Sequence, residues 1–153
     1  MGNALLALLN HRHCIEVLKK DPLLIPKFVE EVMRFDGPVV GVLRRATMDL
    51  ELCGRKIRSG DLVIPLFASA NHDESVFPQS GCLDLYRSQE QKHLAFGAGI
   101  HYCPGTFFAR TQTRIAIEEW LSAFSNFNRD ETQKLEYLDS FLFRGLKSLE
   151  LKI

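Results

Sequence analysis

The residues of this chain best suited to chemistry are Phe96-Gly97-Ala98-Gly99-Ile100-His101-Tyr102-Cys103-Pro104-Gly105, a single cysteine among residues that can shape a loop around its sulfur. A thiolate serves as a metal ligand when it is deprotonated, held at fixed range and screened from water. Each neighbour of Cys103 answers one of those needs. Gly97 and Gly99 permit positive φ, so the chain can turn its amides toward the sulfur. Phe96 can cover one side of it. Gly105 leaves room for a flat macrocycle to approach the backbone, and Pro104 suits the first position of a helix, where its missing N–H costs nothing. A helix beginning there would set the positive end of its dipole beside an anionic sulfur. The competing reading of the same residues is an inert cysteine buried in a glycine-rich turn.

The ten positions fit F-x-x-G-x-[H/R]-x-C-x-G, a pattern expected by chance on the order of 10⁻⁷ times per start position at background residue frequencies. It resembles the haem-binding loop of the cytochrome P-450 monooxygenases, and Ser59-Gly60-Asp61-Leu62-Val63-Ile64, Ala68-Ser69-Ala70-Asn71-His72-Asp73 and His93-Leu94-Ala95-Phe96-Gly97 resemble the bacterial-type members of that family. The resemblance implies that Cys103 is the axial ligand of a haem iron, with haem b (iron protoporphyrin IX) as cofactor. It further implies that His101 donates to a haem propionate and that Phe96, Gly97, Gly99 and Gly105 shape the bed of the ring.

Glu31 and Arg34 lie three apart, so on a helix both project from one face. On a solvated surface such a pair contributes only about 0 to 1 kcal/mol. Within Glu30-Glu31-Val32-Met33-Arg34-Phe35, upstream of the cysteine loop, it is similar to the Glu-x-x-Arg pair of the same family. The resemblance adds Arg87, in Leu83-Asp84-Leu85-Tyr86-Arg87, as a third member. A buried carboxylate bonded by two guanidinium groups would pin the Arg87 segment to the helix, so Glu31, Arg34 and Arg87 are expected to be structural. Leu43-Arg44-Arg45-Ala46-Thr47 resembles the family strand whose arginine reaches a propionate, with Ala46-Thr47 selecting Arg44 over Arg45. His93 is a second candidate for a propionate, although an isolated histidine equally suits a satisfied core position. His11, His13 and His72 are expected at the surface.

Elements able to position these groups can be read from periodicity. Leucines at helical spacing predict a helix over Ala4 to Asn10, continued by a second over Arg12 to Lys19 that stops at Asp21-Pro22; Pro26 at a first helical position, with Phe28, Val29, Val32, Met33 and Phe35 as the apolar set, predicts a third to about Phe35, ended by Asp36-Gly37-Pro38. Val39 to Phe67 reads as a small antiparallel sheet turning at Cys53-Gly54 and Ser59-Gly60-Asp61. Residues 71–92 lack any period and read as an ordered meander. Gly105 to about Phe124 is the strongest helical pattern, with Ile117, Trp120, Leu121 and Phe124 on one stripe. Phe141 to Ile153 should close with a hairpin around Gly145. The fold class is α+β, mainly α, in one domain over residues 1–153.

Composition is that of an ordinary globular chain: 153 residues, 46% hydrophobic and 25% charged. Nineteen basic side chains balance nineteen acidic ones, which offers no footprint for nucleic acid or an anionic membrane. The apolar start is too short to span a bilayer, and the expected location is cytoplasmic. Cys14, Cys53 and Cys82 have no disulfide or zinc spacing and are expected to be free.

The resemblance runs from Gly2 to Ile153 but spans less than half of a family member. It implies the C-terminal haem-binding portion, without the distal helix or most substrate-contacting loops. A whole enzyme would insert one oxygen atom of O₂ into an apolar organic substrate with electrons from a ferredoxin or flavoprotein, and Lys92, Arg110 and Arg114 are candidates for a basic docking face. The alternatives are a non-catalytic haem-binding module, suggested by the Cys103-Pro104 dipeptide, and an inactive truncated remnant.

Overall fold

The computed structural model describes residues 1–88 and 90–153. Four helices carry the core. Helix α1 (Gly2–Asn10) buries Ala4, Leu6, Ala7 and Leu8, and α2 (His13–Lys20) buries Cys14, Ile15 and Leu18. Asp21 stops α2 and accepts the Leu23 N–H at 3.1 Å, capping a short 3-10 turn over Pro22–Leu24. Helix α3 (Ile25–Asp36) buries Ile25, Phe28, Val29, Val32 and Met33 together with the charged Glu31 and Arg34. It ends where Gly37 turns extended ahead of Pro38, a residue that disfavours helix at the position before it.

The β region consists of short pairs. Strand β1 (Arg44–Arg45) will pair with a later strand; β2 (Leu50–Leu52) and β3 (Arg55–Ile57) form an antiparallel hairpin whose turn residues Cys53 and Gly54 both take positive φ, at 48° and 74°. That left-handed pair matches the right-handed twist of its strands. Strand β4 (Leu62–Val63) returns to β1 with Arg44 opposite Val63 and Arg45 opposite Leu62. The expected single sheet is therefore divided into separate two-stranded ladders.

Helix α4 (Phe67–Ala70) leads into the meander, of which Gln89 lies outside the described residues. Helix α5 (Thr106–Ala123) then packs Ile117 and Leu121 against α1, α2 and α3, and Leu8, Leu18, Phe28 and Phe127 close the core beneath it. Trp120 stacks between Phe124 and Phe127, at 4.5 and 5.6 Å.

Two boundaries differ from expectation. Pro104 does not open α5, because Cys103 C=O accepts both the Thr106 N–H at 3.3 Å and the Thr106 hydroxyl at 2.6 Å, making residues 103–106 a turn ahead of the helix. The terminal hairpin also begins earlier than Phe141: Leu138 N–H donates to Gly145 C=O at 2.9 Å, and Tyr137 bridges Leu146. The last strand, β6 (Leu151–Lys152), pairs instead with β5 (Asn128–Arg129). No helix among the described residues is long and apolar enough to cross a membrane.

Candidate functional site

The cysteine loop is closed by its own backbone. Cys103 N–H donates to Phe96 C=O at 3.0 Å, Gly97 N–H to Leu94 C=O at 2.9 Å, and Tyr102 N–H to Gly99 C=O at 3.0 Å over a single 3-10 turn. Gly97 and Gly99 take φ of 71° and 69°, the left-handed region that the loop reading required. Among the described residues no N–H donates to the Cys103 sulfur, so the expected turn of amides toward it is not formed, and the Cys103 N–H is itself spent on Phe96 C=O.

Cys103 is half-buried and lines a cleft of about 480 Å³, whose walls include Met33, Val42, Phe67, Ala95, Phe96 and Gly97. The inert buried thiol is thus not what the fold builds. That volume lies within the range of about 300 to 1,000 Å³ usual for small-molecule sites. A Cβ placed on Gly105 would lie 3.8 Å from the sulfur, in contact with it, so the missing side chain keeps that side of Cys103 clear.

The cleft also gathers the predicted cationic groups. Arg44 and His101 both line it. Arg44 retains solvent exposure and, among the described residues, donates to the neighbouring Leu43 C=O at 3.1 Å, whereas Arg45 donates to Gly60 C=O at 2.7 Å and serves the turn between β3 and β4.

His93 is the exception and a correction. Its Nδ1 accepts the Ala95 N–H at 3.2 Å, and its Nε2 lies 3.3 Å from the Glu30 carboxylate, close enough to attract but not aligned as a hydrogen bond. The imidazole faces α3 instead of the cleft. His11 and His72 are also less exposed than expected, flanking Phe35 at 5.8 and 5.7 Å, and His72 Nδ1 lies 3.0 Å from Ala68 C=O. Burial, then the charge of His13, pushes the His11 pKa down. Cys14, Cys53 and Cys82 are free, and burial pushes the Cys14 thiol up to about 11.

Behind the cleft stands the charged cluster. Arg34 donates Nε to Glu31 Oε2 at 2.9 Å and Nη2 to Oε1 at 2.8 Å; Arg87 adds Nε at 3.0 Å and Asp84 its backbone N–H at 3.0 Å. Burial alone would raise the Glu31 pKa, but the bonds from Arg34, Asp84 and Arg87 outweigh it and hold the carboxyl below its ordinary range. Arg34 also donates to the carbonyls of Asn71, Ser80 and Cys82, at 2.8, 2.9 and 3.0 Å, so the meander is tied down along its length.

Periodicity missed two members. Asn71 accepts the Leu94 N–H at 2.6 Å, linking the Arg34 cluster to the segment that enters the cysteine loop. Glu30 binds Arg110 with both carboxylate oxygens, at 2.5 and 2.6 Å. These partners lie 23 and 80 positions apart, beyond any local spacing rule. Of the basic groups considered for docking, Arg110 thus pairs with Glu30 and Arg114 with Glu118, the latter at 2.9 Å.

One soft donor on an apolar wall, with a guanidinium and an imidazole beside it, suits a flat apolar ring that carries a metal at its centre and anionic groups at its edge. Similarity to known proteins points the same way. The sequence profile of the cytochrome P450 family matches residues 8–151. Cytochrome P450 CYP107DY1 of Priestia megaterium is 38% identical over 150 residues, covering 97% of this chain and 36% of that protein. The biotin biosynthesis cytochrome P450 of Bacillus subtilis is 36% identical over 149 residues, covering 97% and 37%. The P450 heme domain of Tepidiphilus thermophilus superposes with a TM-score of 0.95 at 36% identity, covering 99% of this chain and 36% of that one.

The chain belongs to the cytochrome P450 family, whose members bind haem, and its fold is an α+β, mainly helical portion of theirs. It spans between 28% and 38% of the length of the curated relatives compared with it.

Proposed function

We propose that residues 1–153 are the C-terminal haem-binding portion of a bacterial-type cytochrome P450 monooxygenase, holding haem b through the thiolate of Cys103. The observation that carries this reading is the half-buried Cys103 sulfur in an apolar cleft that Arg44 and His101 also line. Haem bound there supplies the activation of O₂ and the transfer of one oxygen atom to an organic substrate.

The chain's own residues do the rest. Cys103 would hold the group through its sulfur. Arg44 and His101 would donate to the carboxylates at its edge, Gly105 leaves the sulfur uncovered, and Phe96, Gly97 and the Gly99 turn would shape the bed. The apolar wall excludes water that would compete for the sulfur. Ile100, Phe107 and Phe141 are 98%, 82% and 71% exposed, which suits packing against further protein. The substrate would be a small apolar organic molecule and the electron donor a ferredoxin or flavoprotein. A cytoplasmic location is in keeping with cysteines that are unpaired.

The test is the difference spectrum of the reduced, CO-treated chain loaded with haem. A thiolate ligand moves the Soret band to long wavelength, and Cys103→Ala should abolish that band. A haem complex whose spectrum is indifferent to the substitution removes the ligand assignment, as does a chain that takes up no haem.

A further inference from the structure

We propose that Glu30 is the positioning residue of the cysteine loop, gripping through Arg110 two residues of the loop ahead of Cys103, Phe96 at its start and Tyr102 at its end. The fork of Arg110 spends Nε and Nη2 on the Glu30 carboxylate and Nη1 on the Tyr102 hydroxyl, at 3.2 Å. The same guanidinium lies over the Phe96 ring, 4.8 Å from its centroid. Phe96 accepts the Cys103 N–H, and Tyr102 precedes Cys103 directly. One carboxylate on α3 thereby holds both the acceptor of the Cys103 N–H and the residue that precedes Cys103.

A further contact ties down the approach to the loop. The His93 side chain is 9% exposed, its Nε2 has no hydrogen-bond partner among the described residues, and the nearest charge to it is Glu30. Glu30 thus meets the chain before the loop at His93 and, through Arg110, inside it at Tyr102. Its neighbour Glu31 holds the meander, so two consecutive carboxylates on one helix hold two different segments. Arg110 and Glu30 are 37% and 24% exposed, and an isolated pair so placed would count for little. The bidentate geometry, the stacked ring and the shared hydroxyl are what make this one a clamp.

The consequence for a metal ligand rests on the reading of Cys103 given above, but the clamp can be tested without haem. Amide hydrogen exchange is measured on the full chain for wild type, Glu30→Gln, Tyr102→Phe and Glu118→Gln, the last removing a surface pair on the same face of α5. Glu30→Gln should speed exchange of the amides from Gly97 to Cys103 by about tenfold while the core amides of α3 and α5 hold their rates. Tyr102→Phe should give a smaller, equally local effect, and Glu118→Gln none. In the haem-loaded chain, Glu30→Gln should also lower the share of the long-wavelength Soret band after reduction and CO.

Loop exchange unchanged in Glu30→Gln overturns the inference, and so does acceleration spread evenly over the chain or a wild-type loop already exchanging at the free rate. If Glu30→Gln does not fold, Tyr102→Phe decides: a local rise supports the clamp and no rise removes it. A wild-type chain without the thiolate spectrum removes the haem reading and leaves the exchange comparison standing.

Discussion

The Nε of Arg87 lies 3.0 Å from Oε1 of Glu31, a residue 56 positions earlier, and both side chains are almost wholly withdrawn from water. Glu31 is 2% exposed and accepts from Arg34, Arg87 and the Asp84 backbone together. Its charge is compensated only while all of these partners stay in place. Glu31→Gln leaves Arg34 buried and facing a weaker acceptor, and should cost about 3 to 5 kcal/mol, the range found for breaking a buried ion pair. Urea unfolding followed by the fluorescence of Trp120, the chain's one tryptophan, measures it. A loss below about 1 kcal/mol would mean that the cluster behaves as a surface pair.

Acid should attack the other carboxylate in a defined window. Burial pushes the Glu30 pKa up, but His93 and Arg110 together pull it down to about 2, against an ordinary value of 4.5. The folded carboxyl ionises more readily than the unfolded one, so its stabilising contribution is present above about 4.5 and is lost as pH falls from there to about 2. Glu30→Gln should flatten the dependence of stability on pH across that window without abolishing it, since Glu31 is lowered as well. Unfolding titrations at pH 5, 4 and 3, on wild type and variant, give the comparison.

Local features were legible before the fold was known, and long-range ones were not. Glycines that permit positive φ and the distance from Phe96 to Cys103 are properties of ten consecutive residues, and the 3-residue step from Glu31 to Arg34 is set by helical pitch. Arg87 could be placed only by resemblance, since 56 intervening residues erase any periodic signal. The same holds for Asn71 and Arg110. His93 stayed open between two places for a related reason: an imidazole in a loop follows whichever charge tertiary packing brings to it, and here that charge is Glu30 on α3. Pro104 fits a helix start by propensity, yet the Thr106 hydroxyl takes the Cys103 carbonyl and delays the helix.

Arg44 and Arg45 offer a test of the cleft that needs no change to the sulfur. Arg44 lines the cleft and makes one weak local bond, while Arg45 holds the carbonyl of Gly60. Arg44→Ala should weaken haem binding about tenfold to a hundredfold, the value of one charge-assisted bond, with stability changed by less than about 0.5 kcal/mol. Arg45→Ala should do the reverse, costing about 0.5 to 1.5 kcal/mol of stability and leaving haem affinity alone. Haem titration and thermal unfolding of both variants separate the roles, and equal effects on affinity would show that Arg44 has no special place.

The strongest separation of folding from binding comes at the glycines. Gly105 has φ of −82°, open to any residue, and a Cβ there meets only the Cys103 sulfur at an ordinary contact distance of 3.8 Å. Gly105→Ala should therefore fold as well as wild type, or better by about 0.4 to 1 kcal/mol because the unfolded chain loses freedom. Its methyl would still lie against the sulfur that a metal has to approach, so haem uptake should fall. Gly99→Ala should behave oppositely: nothing stands within 4 Å of the added carbon, but φ of 69° is strained for alanine, at about 1 to 2 kcal/mol. Thermal unfolding without haem, followed by haem titration, orders the two variants one way for stability and the other way for affinity. If Gly105→Ala binds haem as wild type does, the ring does not approach Cys103 from the side that Gly105 keeps open.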